Sequence, residues 1–258
     1  MNARACVVNW QHCCRSSLSG LIHNCLQQMK YYVVSLSVIL LLLAWYIQED
    51  PQTSIKMEIK NIASNLIKNV ATGESVAMSS VWEKQTSVII FFRRWGCVFC
   101  RLWAHDLKQI SPLLKENNVR LVGVGPENIG VEDFVAGEFF DGELFIDTDK
   151  KSYSGLGFKR FNWISVIAAL FTRESRDAIS RGKAANVGGD MKGDGLQNGG
   201  ALIVGPGGKL LYSFKQDGPA EQVPNSKILE VLGIKVPEGV NVDQKSQPDA
   251  QCDLPKKV

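Results

Sequence analysis

Two of the seven cysteines in this 258-residue chain stand three positions apart, as Cys97-Val98-Phe99-Cys100, and that spacing suits thiol chemistry. The pair follows a continuous apolar run at residues 87–92 and precedes a helical pattern, so Cys97 falls at a strand-to-helix junction. There the first-turn amides and the helix dipole stabilise a thiolate. Arg93, Arg94 and Arg101 place positive charge around the pair. Cys97 is therefore the expected nucleophile. Cys100, one turn into the helix, is the expected resolving thiol, able to attack a sulfur-linked intermediate and expel it as a disulfide. A zinc site on the same pair would need two further ligands. His105 and Cys252 are isolated, and Cys6, Cys13, Cys14 and Cys25 lie near the N-terminus, so no metal is expected.

Other chemistry-bearing patterns are weaker. Two of the three histidines precede residue 57, and His105 reads as a half-exposed helix residue rather than a proton donor. Gly123-Val124-Gly125 follows a strand, but position 128 is asparagine, so G-x-G-x-x-G is incomplete and a Rossmann nucleotide site is unsupported. The run at residues 188–200, GGDMKGDGLQNGG, lacks the ending of a phosphate loop. Flexibility or close backbone approach to the active site explains its glycines better.

The elements that must position the pair are legible from periodicity. Residues 59–70 suggest a short helix or strand entry, 70–75 a hairpin turn, and Ser80-Val81-Trp82-Glu83 a capping box opening a helix. Residues 87–92 (SVIIFF) read as a strand buried on both faces. Beyond the cysteines, Trp103, Leu107, Ile110 and Leu114 form one helical stripe, which Pro112 should kink or end. A second buried strand is expected at 119–125, a short helix at 131–135, a brief strand at 144–146 and a short helix at 150–158. The polar, Gly-rich stretch at 171–200 is too long for an ordinary loop and reads as functional or partly helical. Residues 201–204 and 210–214 flank Gly205-Pro206-Gly207-Gly208 as a β-hairpin, and a closing helix through Ile228, Leu229 and Leu232 ends at Gly233. This order gives an α/β domain with a central mixed sheet flanked by helices, the thioredoxin-like arrangement.

Composition agrees with one such domain plus extensions. Hydrophobic residues make up 45% and charged residues 21% of the chain, which disfavours collagen-like, disordered and polytopic membrane classes. The net charge of +3 belongs to residues 1–30, which hold Arg4, Arg15 and Lys30 and no acid. The remainder is balanced, so no basic body exists for nucleic acid. Residues 31–47 (YYVVSLSVILLLLAWYI) are an uncharged stretch at the lower limit for spanning a bilayer, ending in Trp45 and Tyr46. The expected organisation is a basic leader with this hydrophobic segment at 1–56, a folded domain at 57–235 and a polar tail at 236–258. Residues 31–47 could serve as a signal-anchor, or the leader could be a variable extension with Met57 opening the folded part.

A resemblance covers roughly residues 57–258. Arg93 to Arg101 (RRWGCVFCR), Val119 to Glu127 (VRLVGVGPE), Gly155 to Asn162 (GLGFKRFN), Leu196 to Gly200 (LQNGG) and the ending Gln251-Cys252-Asp253 together resemble the peroxiredoxin-like 2 family. The resemblance implies a thioredoxin-like fold. It also implies reduction of the endoperoxides prostaglandin H2 and prostamide H2 to F-series products in prostaglandin and fatty acid biosynthesis, with Cys97 and Cys100 as the active pair. NADPH is then the ultimate reductant, used directly or through thioredoxin and its reductase, and the cytosol is the expected compartment. Two departures stand out. Ordinary peroxiredoxins place Thr or Ser three residues before the reactive cysteine, where Arg94 stands here, and this weakens simple peroxide reduction. Thioredoxins place a cis-proline before the late hairpin, where Gly199 and Gly200 stand here, and this is expected to open the wall for a bulkier apolar substrate. Arg94, Trp95, Phe99, Gly199 and Gly200 are the pocket candidates, with Phe161 and Trp163 beside them. The alternatives are a general antioxidant thiol reductase or peroxidase, and a membrane-tethered adaptor with a regulatory cysteine pair.

Overall fold

Alternating side chains on the central strands divide the interior into two layers. In strand β3 (Ser87–Phe91) all five residues are buried. Val88 and Ile90 point into one apolar layer and Ile89 and Phe91 into the other, so the strand must sit in the middle of a sheet covered on both faces. The computed structural model describes residues 30, 33–39, 59–162, 171–185 and 187–243. They show a seven-stranded sheet with order β2-β1-β5-β4-β3-β6-β7. Strand β4 (Arg120–Gly125) runs parallel to β3, and β5 (Glu143–Ile146) parallel to β4. Strand β6 (Gly200–Gly205) is antiparallel to β3 and forms a hairpin with β7 (Lys209–Lys215). At the other edge β1 (Leu66–Asn69) pairs antiparallel with β5 and with β2 (Ser75–Ala77). In this mixed α/β sheet β3 lies between β4 and β6, so the cysteine segment that follows it leaves from an interior strand.

Helices α1 (Val98–Leu107), α2 (Ser111–Glu116), α3 (Val131–Ala136), α4 (Lys151–Gly155), α5 (Arg173–Ala184) and α6 (Asn225–Leu232) surround the sheet. The stripe from Trp103 to Leu114 is buried as expected, but two helices carry it. Pro112 stands in the first turn of α2, where its missing N–H costs nothing. The capping box expected at Ser80 is not formed. A short 3-10 turn (Met78–Val81) already occupies that position, and the Ser80 hydroxyl donates back to the Ala77 carbonyl at 2.7 Å. The chain must then reach β3 within a few residues, which leaves no room for a helix after Glu83. The Gly-rich stretch proves partly helical, since α5 opens at Thr172, whose hydroxyl accepts the Ser175 amide at 3.2 Å.

The chain divides into two compact units, Met1–Thr53 and Ser54–Val258. In the first, residues 33–39 are helical and exposed, and the rest of the 31–47 segment lies outside the described residues. Among the described residues no helix is long and apolar enough to cross a membrane. At the other end, packing continues past residue 235. Val242 is buried, its carbonyl accepts the Asn225 side-chain amide at 2.9 Å, and Asp243 accepts the Ser226 amide at 3.0 Å.

Candidate functional site

Cys97 stands at the N-cap of α1 with extended backbone (φ −76°, ψ 122°), so its sulfur meets the amide-rich start of the helix. Both cysteines are free thiols and almost fully enclosed, Cys97 at 4% and Cys100 at 2% exposure. The Cys100 thiol donates to the Cys97 sulfur and, against the opposing cost of burial, brings Cys97 from 9.0 down to about 5. The charge of Arg93, the Cys100 amide and the charge of Arg94 assist. Cys100 moves the opposite way, raised by holding its proton toward Cys97 and by burial. Two thiols with divergent protonation states are what an attacking and a resolving residue require.

Arg93 is the cation nearest the sulfur, with Nη1 3.8 Å from Cys97 Sγ. Its other donors go to the carbonyls of Gln197 (3.2 Å) and Gly195 (2.9 Å), and its guanidinium lies 5.2 Å from the Phe161 ring centroid. Among the described residues no carboxylate pairs with it, so its charge remains available to the thiolate. Arg94 donates to the Lys192 carbonyl at 2.9 Å and meets the Met191 sulfur at 3.5 Å. Arg101 donates to the carbonyls of Trp95 (3.0 Å) and Gly188 (2.8 Å). Both guanidiniums approach Asp190, Arg94 at 3.9 Å and Arg101 at 3.4 Å. Three arginines from the cysteine segment thus fasten residues 188–197 over the start of α1.

Glycine permits this approach. A Cβ on Gly189 would stand 3.0 Å from Val98 Cβ and 3.1 Å from its nitrogen. At the far end of the run, Asp194 pairs with Lys150 and Arg160, each at 2.7 Å, and its amide donates to Glu127 at 2.7 Å. Burial would raise the Asp194 carboxyl, but the hydrogen bonds from Lys150, Arg160 and the Leu196 amide hold it well below the usual carboxylate range.

A cavity of about 590 Å³ opens onto Cys97. Val98, Phe99, Ile179, Val187 and Met191 supply apolar surface to it, and Arg93, Arg94, Lys183 and Asp190 supply charge. Two of the sequence candidates, Arg94 and Phe99, therefore line it, and three do not. Trp95 is fully buried, its indole N–H donating to the Glu127 carbonyl at 2.6 Å and its ring 4.9 Å from Phe134. Gly199 and Gly200 form no open wall. Gly200 pairs with Phe91 and Lys215 in the sheet, and a side chain there would meet the Phe214 carbonyl and the Phe158 ring. A side chain at Gly199 would meet the Phe91 carbonyl. Both glycines serve close backbone approach in the sheet, not substrate access. Phe161 supports Arg93, Trp163 lies outside the described residues, and half-buried His105 is not among the cavity residues.

The residues that sequence reasoning passed over, Val98, Ile179, Lys183, Val187 and Met191, come from α1, α5 and the Gly-rich run. The available signal was the apolar Ala178-Ile179 pair in an otherwise polar α5. Among the described residues no group of three or more His, Cys, Asp and Glu could hold a metal ion. Nor do Gly123 and Gly125 fit a dinucleotide pyrophosphate. The space a side chain would take at Gly123 is filled by Phe92 and Leu144, and that at Gly125 by the Trp95 ring.

A family profile described as AhpC/TSA antioxidant enzyme matches residues 106–218. The chain is 41% identical over 199 residues to a Xenopus laevis protein named prostamide/prostaglandin F synthase, covering 77% of this chain and 97% of that one. It is 42% identical over 179 residues to the Homo sapiens protein of the same name, covering 69% and 90%. Among solved structures, a cysteine-to-serine mutant of Xylella fastidiosa PrxQ superposes with a TM-score of 0.48 at 11% identity, over 67% of this chain and 90% of that one.

Proposed function

Because the chain belongs to the prostamide/prostaglandin F synthase family of peroxiredoxin-like oxidoreductases, we propose that it reduces lipid endoperoxides, prostaglandin H2 and prostamide H2, to the corresponding F-series diols through Cys97 and Cys100. The observation that carries this reading is a thiol brought down to about 5 that faces a largely apolar cavity of about 590 Å³. A cavity of that size and lining suits a lipid better than hydrogen peroxide.

The chemistry follows from the two protonation states. The Cys97 thiolate attacks one oxygen of the strained O–O bond, forming an S–O bond while the other oxygen leaves with the bond pair and takes a proton from solvent. Cys100 then attacks Sγ of Cys97, breaking the S–O bond, and its proton goes to the departing alkoxide. Two thiols become one disulfide, and one peroxide bond becomes two hydroxyls. Helix α1 keeps the resolving sulfur one turn from the attacked one, so no large rearrangement is needed. Arg93 stabilises the attacking thiolate and stays beside the developing oxyanion.

The disulfide is returned to two thiols by electrons that originate in NADPH. The poor fit of Gly123-Val124-Gly125 to a dinucleotide supports delivery through a dithiol donor such as thioredoxin with its reductase. Recycling of this kind suits a reducing compartment, and the cytosol is the proposed location. Comparing the location of the tagged full chain with one begun at Met57 tests whether residues 31–47 redirect it to a membrane. For the reaction itself, the purified full chain with NADPH, thioredoxin and thioredoxin reductase should convert prostaglandin H2 faster than hydrogen peroxide, and Cys97→Ser should abolish the conversion. Full turnover by Cys97→Ser would eliminate the mechanism, and a preference for hydrogen peroxide would favour a general antioxidant peroxidase.

A further inference from the structure

The cavity beside Cys97 carries one cation that neither its fastening nor its thiolate uses. Arg93 is held by two carbonyls and faces the sulfur, and Arg94 is held by the Lys192 carbonyl and approaches Asp190. Arg181, two residues before Lys183 on α5, pairs with Asp106 at 3.4 Å. Lys183 differs from all of these. It lines the same cavity, its side chain is exposed, and among the described residues no carboxylate pairs with it.

Its placement follows from local packing. Gly182 lies against α1, where a Cβ would stand 2.7 Å from Val98 Cγ2, so α5 comes close enough for Ile179, Gly182 and Lys183 to share one wall. A long aliphatic stem ending in an ammonium, beside Ile179 and Val187, is suited to an amphipathic ligand with an apolar body and an anionic head.

We propose that Lys183 is the specificity-determining residue that receives the carboxylate of an acidic lipid substrate, while the apolar body of the lipid lies against Val98, Phe99, Ile179 and Val187. The proposal rests on the endoperoxide reading above and deepens it. Acid and neutral forms of one lipid then share the apolar wall, and the acid alone gains the ion pair.

The test uses the full chain with Lys183→Met and Lys183→Arg. With prostaglandin H2, an acid, Lys183→Met should raise KM about fivefold with kcat unchanged, as expected for loss of one partly exposed ion pair. With prostamide H2, a neutral ethanolamide, KM should stay the same, and Lys183→Arg should restore the acid. Equal effects on both substrates, or none on either, would overturn the proposal. A second measurement does not depend on turnover: protection of Cys97 from alkylation by arachidonate and by its ethanolamide. Lys183→Met should weaken protection by the acid about fivefold and leave the amide alone. If wild-type protein turns over neither endoperoxide but shows this contrast, the reaction assignment fails and the Lys183 assignment stands. If arachidonate and its ethanolamide lose protection equally, or neither loses any, the Lys183 assignment fails.

Discussion

Replacing Cys100 by alanine removes the leading cause of the Cys97 thiolate, and the size of the effect can be worked out. With Cys97 at about 5, about half of it is ionised at pH 5 and nearly all at pH 7. A hydrogen bond to a charged acceptor contributes roughly 1.5–3 kcal/mol, which corresponds to about one to two pKa units. In Cys100→Ala the Cys97 titration should therefore move up to about 6–7. At pH 7 the thiolate population falls by no more than about twofold, but at pH 5 it falls by roughly fivefold to fiftyfold. The rate of alkylation should fall somewhat less, because a thiolate of higher pKa is intrinsically more nucleophilic. The assay is iodoacetamide alkylation of Cys97 followed by peptide mass across pH 4 to 9, with Cys97→Ser as the blank for the remaining cysteines. Cys100→Ser, which keeps a hydroxyl donor, should fall between wild type and alanine. A Cys100→Ala titration that stays near 5 would refute the thiol hydrogen bond as the cause. One that rises to 9 would mean that Arg93, Arg94 and the helix start do no more than offset the cost of burial.

Further expectations concern the residues that position the pair. Arg93→Met should raise the Cys97 titration without unfolding the protein, read in the same alkylation profile, since Nη1 stands 3.8 Å from the sulfur. Gly125→Ala forces a methyl into the Trp95 ring and should cost about 1–3 kcal/mol, seen as a lower urea midpoint. Gly199→Ala should lower stability, and endoperoxide and general disulfide reduction should fall together, because its side chain would meet the Phe91 carbonyl rather than substrate. Tyr153→Phe removes a buried hydroxyl lying 2.7 Å from the Phe92 carbonyl and 2.9 Å from that of Val124; a loss of about 1–3 kcal/mol in the same unfolding assay, with Cys97 reactivity unchanged, is expected.

What the sequence made legible was local. The run of β-branched and aromatic residues marked β3, Gly-Pro-Gly-Gly marked the late hairpin, and Gly233 marked the end of α6, because each signal lies within a few residues of its effect. The strand-to-helix setting of the cysteine pair was legible for the same reason. What escaped reading depended on partners far along the chain. Arg93 and Gln197 are 104 positions apart, and nothing near either announces that one fastens the other. Trp95 resembled a pocket residue until Gly125 and Phe134 placed it in the core. Gly199 and Gly200 suggested an open wall because absence of a side chain reads as space, whereas here the sheet backbone occupies that space. The capping pattern at Ser80 lost to the need to reach β3, a tertiary demand overriding a local preference.

The arginine fastening has a consequence for how this site could diverge. Arg93, Arg94 and Arg101 grip residues 188–197 mainly through peptide carbonyls, the groups every residue type supplies. Among the described residues, these three guanidiniums meet a side chain of that run only at Asp190 and, more weakly, at Met191. Side chains such as that of Met191 can therefore be exchanged with most of the hold retained. The surface shown to substrate and the anchor that keeps it in place are coded by different atoms, so selectivity can drift while the thiolate's surroundings stay fixed.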